Sequence, residues 1–451
     1  MDHQGSLIAA RGIRVLDANG TFGSPTSVAW ESGRFELGET GVQAGGAGTV
    51  TDGTVIDGSG LWMIPGLVDA HAHIAWHAFD AEDRECFTEE DQRLLTRAAL
   101  ARNLAAGFTS VRDGGGITPD EFAELVADQG ASGSHEASTS PELAGASHSL
   151  SAMPRLQCSG AMLTRAAADE AGGLDRAVDR VLATGAPWVK LVATASVASP
   201  PGAGLEPVFT ADEVADAVRR ADAVGAGVMV HAWGGTAIDD AIDAGAFSIE
   251  HGIFLTDEQA RRAAEHGMTL VPTLRIYRLV QRMIDERALP AAFRARVEEA
   301  VGAHPSAVLR ARDAGLALAI GTDSGAPDQH GSGAREIDAL NEAGLSPEEA
   351  LLAATRGGAE LLARVQVPPA ADAPTGTIVS GAVADAVILN RDPRTPGALS
   401  DPTAIVAVIL GGRAVDLDAV RAVGTLEIST QNSAIHHPAT SADQAVRKDQ
   451  Q

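Results

Sequence analysis

The chain has 451 residues, 45% apolar and 21% charged, the balance of a folded soluble protein, and no uncharged apolar run approaches the ~18 residues of a membrane span. Sixty acidic against 34 basic residues leave a net charge of −26, which repels phosphate backbones and anionic lipid and argues against nucleic-acid or membrane partners. Two cysteines, Cys86 and Cys158, exclude a disulfide framework, and the start Met1-Asp2-His3-Gln4-Gly5-Ser6-Leu7 lacks the cationic and apolar regions of a secretion signal, so a cytoplasmic location is expected.

Residues 1–63 read as short strands broken by Gly and Asn, at 7–10, 12–16, 27–30 and 54–56. From residue 64 the pattern changes to short apolar runs alternating with Ala-, Arg- and Glu-rich helical stretches, as βαβ units require. The candidate strands are 67–69, 109–112, 155–158, 189–192, 227–230, 247–249, 269–271 and 316–320. Eight such units over about 300 residues match the size of a (β/α)8 barrel, whose active sites lie at the C-terminal strand ends. Residues 64–365 are therefore assigned to a TIM-like α/β barrel. It is interrupted at 131–152 by a Ser-, Gly- and Ala-rich stretch that reads as a flexible insertion.

A helical stretch at 346–362 closes the barrel pattern. Strands return at 376–379, 386–389 and 404–410, so residues 366–428 are expected to join 1–63 in a small β-sandwich built from both chain ends. Residues 429–451 form a polar tail, expected to be disordered. His135 and His148 in the insertion, and His436 and His437 in the tail, are read as solvated.

The chemistry-bearing residues follow the strands. His71 and His73 follow the first barrel strand, and residues i and i+2 of an extended chain project to one side. Alone the pair says little, since 13 histidines in 451 residues give about 0.4 such pairs by chance. Lys190 ends the fourth strand, His231 the fifth and His251 the sixth, and Asp323 follows the eighth. A barrel converges these six positions on one cavity. Four imidazoles and a carboxylate suit zinc, with cobalt, manganese and nickel also compatible. Lys190 and Lys448 are the only lysines, which marks Lys190 as an amine where arginine would not serve. An amine that adds CO2 becomes a carbamate able to bridge two metals.

Gly66-Leu67-Val68-Asp69-Ala70-His71-Ala72-His73, Val189-Lys190, Val230-His231-Ala232, Ile249-Glu250-His251-Gly252 and Ile320-Gly321-Thr322-Asp323 resemble the amidohydrolase superfamily, and Gly381 to Leu389 looks like the closing strand of its small domain. Lys190 to Thr194, Val197-Ala198-Ser199, His330-Gly331 and Ala334-Arg335-Glu336 resemble its imidazolonepropionase-related branch of dipeptidases, carboxypeptidases and ochratoxin-hydrolysing amidases. The resemblance implies a binuclear centre: His71 and His73 on one metal with Asp323, His231 and His251 on the other, and carboxylated Lys190 between them. It also implies Asp323 as the catalytic proton carrier.

Two departures bear on substrate. Peptidase relatives often carry His-Ala-Tyr after the fifth strand, where this chain has His231-Ala232-Trp233. Their Gly-Gly-His after the third strand is replaced by Met162-Leu163-Thr164-Arg165. His77, Trp233, Arg275, Tyr277 and His330 are the candidate substrate-pocket residues, with Trp233, Tyr277 and His77 expected at its mouth. The expected activity is hydrolysis of an amide-like C–N bond in a small molecule, by a homo-oligomer.

A carbamate or urea hydrolase or a lactonase would use the same centre. A heterocycle deaminase is disfavoured because Gly234 stands where such relatives need glutamate, and a non-catalytic binding protein is disfavoured by the complete ligand set.

Overall fold

Strands covered on both faces read as near-continuous apolar runs, and the central strands of this chain follow that rule apart from a few buried polar residues such as Asp69, Arg112 and Glu250. The computed structural model describes residues 8–37, 55–78, 84, 87–131, 152–197, 199, 203–366 and 376–425. Cys86, most of the expected insertion with His135 and His148, and the tail with His436 and His437 lie outside them.

The N-terminal strands are β1 (Ile8–Val15), β2 (Thr26–Glu31), β3 (Arg34–Glu36), β4 (Val55–Asp57) and β5 (Trp62–Pro65). The barrel strands are β6 (Leu67–Ala72), β7 (Phe108–Asp113), β8 (Arg155–Cys158), β9 (Met162–Leu163), β10 (Trp188–Val192), β11 (Gly227–Ala232), β12 (Ser248–His251), β13 (Thr269–Val271) and β14 (Ala317–Leu318). All pairs among them are parallel. Every residue of β6, β7, β11, β12 and β13 is buried.

The ladder forms two arcs, β6-β7-β8 and β9 through β14. The third barrel strand is split between them, with β8 paired to β7 and β9 paired to β10. Gly160, at φ 66°, makes the break. At the other seam Ala70 N donates to Ile320 O (2.9 Å) and Thr322 N to His71 O (2.9 Å), which ties the first strand to the eighth.

The small domain is one curled eight-stranded sheet in the order β17-β16-β15-β5-β1-β2-β3, with β4 beside β1. Its C-terminal members are β15 (Ala386–Leu389), β16 (Ile405–Leu410) and β17 (Arg413–Ala414). β15 runs antiparallel to β5 in the register Val387↔Ile64, so the two chain ends meet in one ladder. Trp30, Phe35, Met63, Ile388 and Ile409 fill the core inside the curl.

Three local expectations change. The two strands at 7–10 and 12–16 are one strand, bulged at Gly12, whose φ of 72° lets the register shift. No strand forms at 376–379. The residues just after it meet the sheet edge through irregular bonds instead, Phe35 N to Ala382 O (2.9 Å) and Gly381 N to Phe35 O (2.8 Å). The helix expected over 346–362 widens into a π turn at Ala353–Gly357. There Ile320 N takes the Ala353 carbonyl (3.2 Å), and an outside donor of this kind competes with the helical ladder.

Asp385 fastens the two units. Its carboxylate accepts from Arg155 Nη1 on β8 (2.6 Å) and from Gly411 N (2.7 Å), and its carbonyl accepts from Gly66 N (2.9 Å). Asp385→Ala is expected to lower stability by about 2 kcal/mol, the scale for losing a hydrogen-bonded partner of a half-buried charge. Chemical denaturation measures it, and an unchanged midpoint would show that the ion pair contributes nothing to the junction.

Candidate metal centre

Convergence of strand ends is what the barrel supplies, and the side chains there do meet. His71 and His73 project to one side of β6, and their Nε2 atoms lie 3.4 and 3.2 Å from Asp323 Oδ1. Ligating atoms of these three residues all fall within 4.8 Å of one another. Lys190 Nζ is 3.3 Å from His71 Nε2. The rings of His71 and His251 are 5.1 Å apart, and those of His231 and His251 4.5 Å. All six predicted positions thus gather in one cluster, and the Asp323 side chain, one-fifth exposed, is the most open of them to solvent.

The other nitrogen of both His71 and His73 is fixed. His71 Nδ1 donates to Glu250 Oε2 (2.6 Å), and His73 Nδ1 to Gly115 O (2.7 Å). These bonds select the tautomers that leave both Nε2 lone pairs facing Asp323, the usual outer arrangement of ligating histidines. Asp113 braces the loop that supplies Gly115 O, accepting from Ile74 N and Gly115 N at 2.9 Å each. Gly321 permits the closest approach, since a Cβ there would stand 2.6 Å from His71 Cβ and 2.5 Å from Val271 Cγ1.

Glu250 belongs to a buried chain of charge. Arg112, fully enclosed, donates Nη2 to both Glu250 oxygens (3.0 and 3.1 Å), Nη1 to Ser248 Oγ (3.1 Å) and Nε to Ala70 O (2.5 Å). Its guanidinium lies 4.5 Å from the Trp188 ring centre. Burial alone would raise the Glu250 carboxyl, but Arg112 and His71 overcome it and hold the group at about 2.

Electrostatics in the cavity favour neutral nitrogen. Burial, then the Lys190 charge, push His231 down to about 3, and burial with His231 pushes His251 well below its ordinary value. Burial also brings Lys190 down to about 8, against the opposing pull of Glu250 and Asp323. Asp323, which burial would raise, is held well below the usual carboxylate range, chiefly by His71 and His73 lying against its Oδ1.

Backbone strain collects here. His251, Thr273 and Asp323 have φ of 71°, 56° and 50°, a left-handed conformation costing non-glycine residues about 1–2 kcal/mol each. Two helices hold it in place. His304, in the helix Arg294–Asp313, bonds through Nε2 to His251 O (2.9 Å), and Thr273 Oγ1 meets His251 Nδ1 (2.8 Å). Thr273 caps the helix Leu274–Asp285 without a side-chain bond. The buried Glu336 substitutes, accepting from Leu274 N (2.5 Å) and Arg275 N (2.9 Å).

The predicted substrate residues scatter. Trp233 and Tyr277 are 1% and 2% exposed and pack with Ile253, Ile276, Val280 and Val297, so they do not stand at an open mouth. Tyr277 still lies beside the centre, 6.1 Å from the His251 ring. Arg275 turns to Ser332 Oγ (2.6 Å). His330 Nε2 reaches Trp76 O (3.2 Å), and His77 Nε2 reaches Thr96 Oγ1 (3.4 Å). The aromatic ring at the centre is Trp76, half-buried and stacked on His73 at 3.9 Å, with Arg84 4.2 Å from its ring centre. Trp76 lies three residues after His73 in the sequence, and that proximity was the only signal for it.

Fold and cluster together define a class, the parallel barrels that gather a histidine and carboxylate centre at their strand C-termini. Within it, the chain belongs to the amidohydrolase family, whose model matches residues 62–415. An uncharacterized protein of Mycobacterium tuberculosis (strain ATCC 25618 / H37Rv) is 31% identical over 362 residues, 80% of this chain and 86% of that one. Among solved structures, a prolidase complexed with N-methylphosphonate-L-proline superposes with TM-score 0.76 at 24% identity, over 91% of this chain and 99% of the prolidase. The Aspergillus niger ochratoxinase superposes with TM-score 0.74 at 20% identity, over 91% and 96%.

Glu336 yields a pH test. Burial raises its carboxyl from 4.5 to about 7, against the bonds from Arg275 and Leu274. Its contribution to stability is therefore full below pH 4.5 and lost as pH rises through 7. The stability of Glu336→Gln relative to the native chain should rise across that window in denaturation experiments. A pH-independent difference would mean that Glu336 titrates normally.

Proposed function

We propose that the protein is a metal-dependent hydrolase of amide-like C–N bonds, acting on N-acyl amino acids or aryl amides. The observation that carries this reading is the meeting of His71, His73 and Asp323 within 4.8 Å, with Lys190, His231 and His251 around them. The family assignment and the likeness to a prolidase and an ochratoxinase support it.

The residues present fit a binuclear centre. His231 Nε2 is buried with no hydrogen-bond partner among the described residues, and such orphans ask for a ligand. Neutral imidazoles with fixed outer nitrogens are the form that binds a cation. His71 and His73 would hold one cation with Asp323, and His231 and His251 the other. Lys190 would bridge as its carbamate, and the buried amine at about 8 is neutral far more often than an exposed lysine. Divalent cations held there, zinc by ligand chemistry, would supply Lewis acidity to the scissile carbonyl and lower the pKa of water.

Asp323 faces both the histidine pair and solvent. It accepts the proton of the attacking water and returns it to the leaving nitrogen. Its strained backbone and the Gly321 contact hold that carboxylate at a fixed distance from His71. Trp76, stacked on His73, forms a flat wall that favours an aromatic or bulky apolar acyl group.

Purified without chelator, the chain should carry about two metal equivalents. Lys190→Arg should lose one of them, and Asp323→Asn should cut kcat at least about 100-fold with much of the metal retained. Fully active metal-free protein would end this reading.

A matched panel ranked by kcat/KM tests the substrate. Aromatic N-acyl amino acids and aryl amides should lead, and Trp76→Ala should narrow their advantage. A small basic dipeptide such as Ala-Arg at the head of the panel would refute the preference, and a lactone or heterocyclic amine there would refute the bond assignment.

A further inference from the structure

A second cavity, of about 520 Å³, lies where the barrel meets the C-terminal helix Leu417–Gly424. None of the six converged residues lines it. Among the described residues its charged wall residues are Arg102, Arg335 and Arg421, and no carboxylate lines it, although the chain holds 60 acidic residues against 34 basic ones. Its floor is apolar, including Ala105, Leu399 and Ile405.

The three guanidiniums are held differently. Arg102 is fixed, donating Nε to Gly424 O (2.5 Å) and Nη1 to Pro327 O (2.7 Å), so it anchors the helix that forms one wall. Arg421 pairs loosely through Nη1 with the exposed Asp418 (3.9 Å) and donates Nη2 to Pro402 O (3.3 Å), contacts at the edge of the bonding range that an incoming anion can displace. Arg335 is exposed, with no ion-pair partner among the described residues. A neighbouring depression shares Arg335 and adds Arg275, Arg278 and Arg282. Its two carboxylates are already engaged, Glu342 by Arg278 and Asp338 by Gly397 N and Ser400 Oγ at 2.8 Å each.

Several like charges around an apolar floor repel one another until a counter-charge enters. We propose that this cavity binds a small amphipathic anion, an apolar body with one carboxylate or phosphate head that pairs with Arg335 and Arg421. The volume suits a ligand of drug size, and guanidinium forks match both head groups. The assignment is independent of the reaction at the metal centre.

The test is titration calorimetry on the full chain with 4-phenylbutyrate, phenyl phosphate, inorganic phosphate and the neutral 4-phenylbutyramide. One of the two organic anions should bind saturably, one per chain. Inorganic phosphate should bind more weakly, and the neutral amide should give no saturable heat. Arg335→Glu and Arg421→Glu should each weaken binding at least about tenfold, the scale of a lost charge-assisted bond, with circular dichroism unchanged. Arg335→Gln, a milder change, should weaken it less. Equal binding of the neutral amide, affinity unchanged in both Glu variants, or no saturable binding at millimolar concentration would each overturn the proposal. Which head group binds identifies the ligand source.

Discussion

The barrel interior encloses a full positive charge, and much of the structure follows from satisfying it. Arg112 has no access to water, so its five donors must find partners within the strands. They find Ala70 on β6 and Ser248 and Glu250 on β12, while Trp188 of β10 offers its ring face. Four strands are thereby fixed in relative height, and removing one partner would strand a buried charge at a cost of about 3–5 kcal/mol. Glu250 passes the constraint on to His71 Nδ1. The core's electrostatic requirement and the orientation of a candidate ligand are one network.

The same economy recurs on the opposite side of the cavity. His251 is held through its ring by Thr273 and through its carbonyl by His304, and Thr273 stands where Glu336 caps the following helix. Three left-handed non-glycine residues persist because packing over-determines them. Such rigidity suits a centre whose parts must keep their separations when charge moves. The side chain of the site most open to water is Asp323.

The barrel was legible because buried parallel strands leave apolar runs, and because a short polar interruption at the end of each run is conspicuous. The six converged positions were found on that ground. Arg112 and Glu250 were not, since an isolated charge inside an apolar run gives no sign of a partner 138 residues away. His304 and Glu336 sit on helices distant in sequence, where a buried polar residue looks like any other. For Trp233 and Tyr277, nearness to a strand end does not by itself tell whether a ring faces the centre or packs under the helices. The π turn was equally invisible, as it depends on Ile320 N arriving from another segment.

The curled sheet has a consequence for how the chain reaches this state. β5 and β15 pair across some 320 residues, and the entire barrel must be made before that ladder can close. Closing so long a loop is entropically costly, and contacts of high sequence separation form late. During synthesis, β1 to β5 therefore wait with an unpaired edge at β5, a template for pairing with other chains. The exposed charges Arg11, Glu31 and Glu36 on the early strands work against such encounters. A chain that stops before β15 would keep that edge open permanently, so aggregation, rather than a stable barrel fragment, is the natural fate of a truncated product.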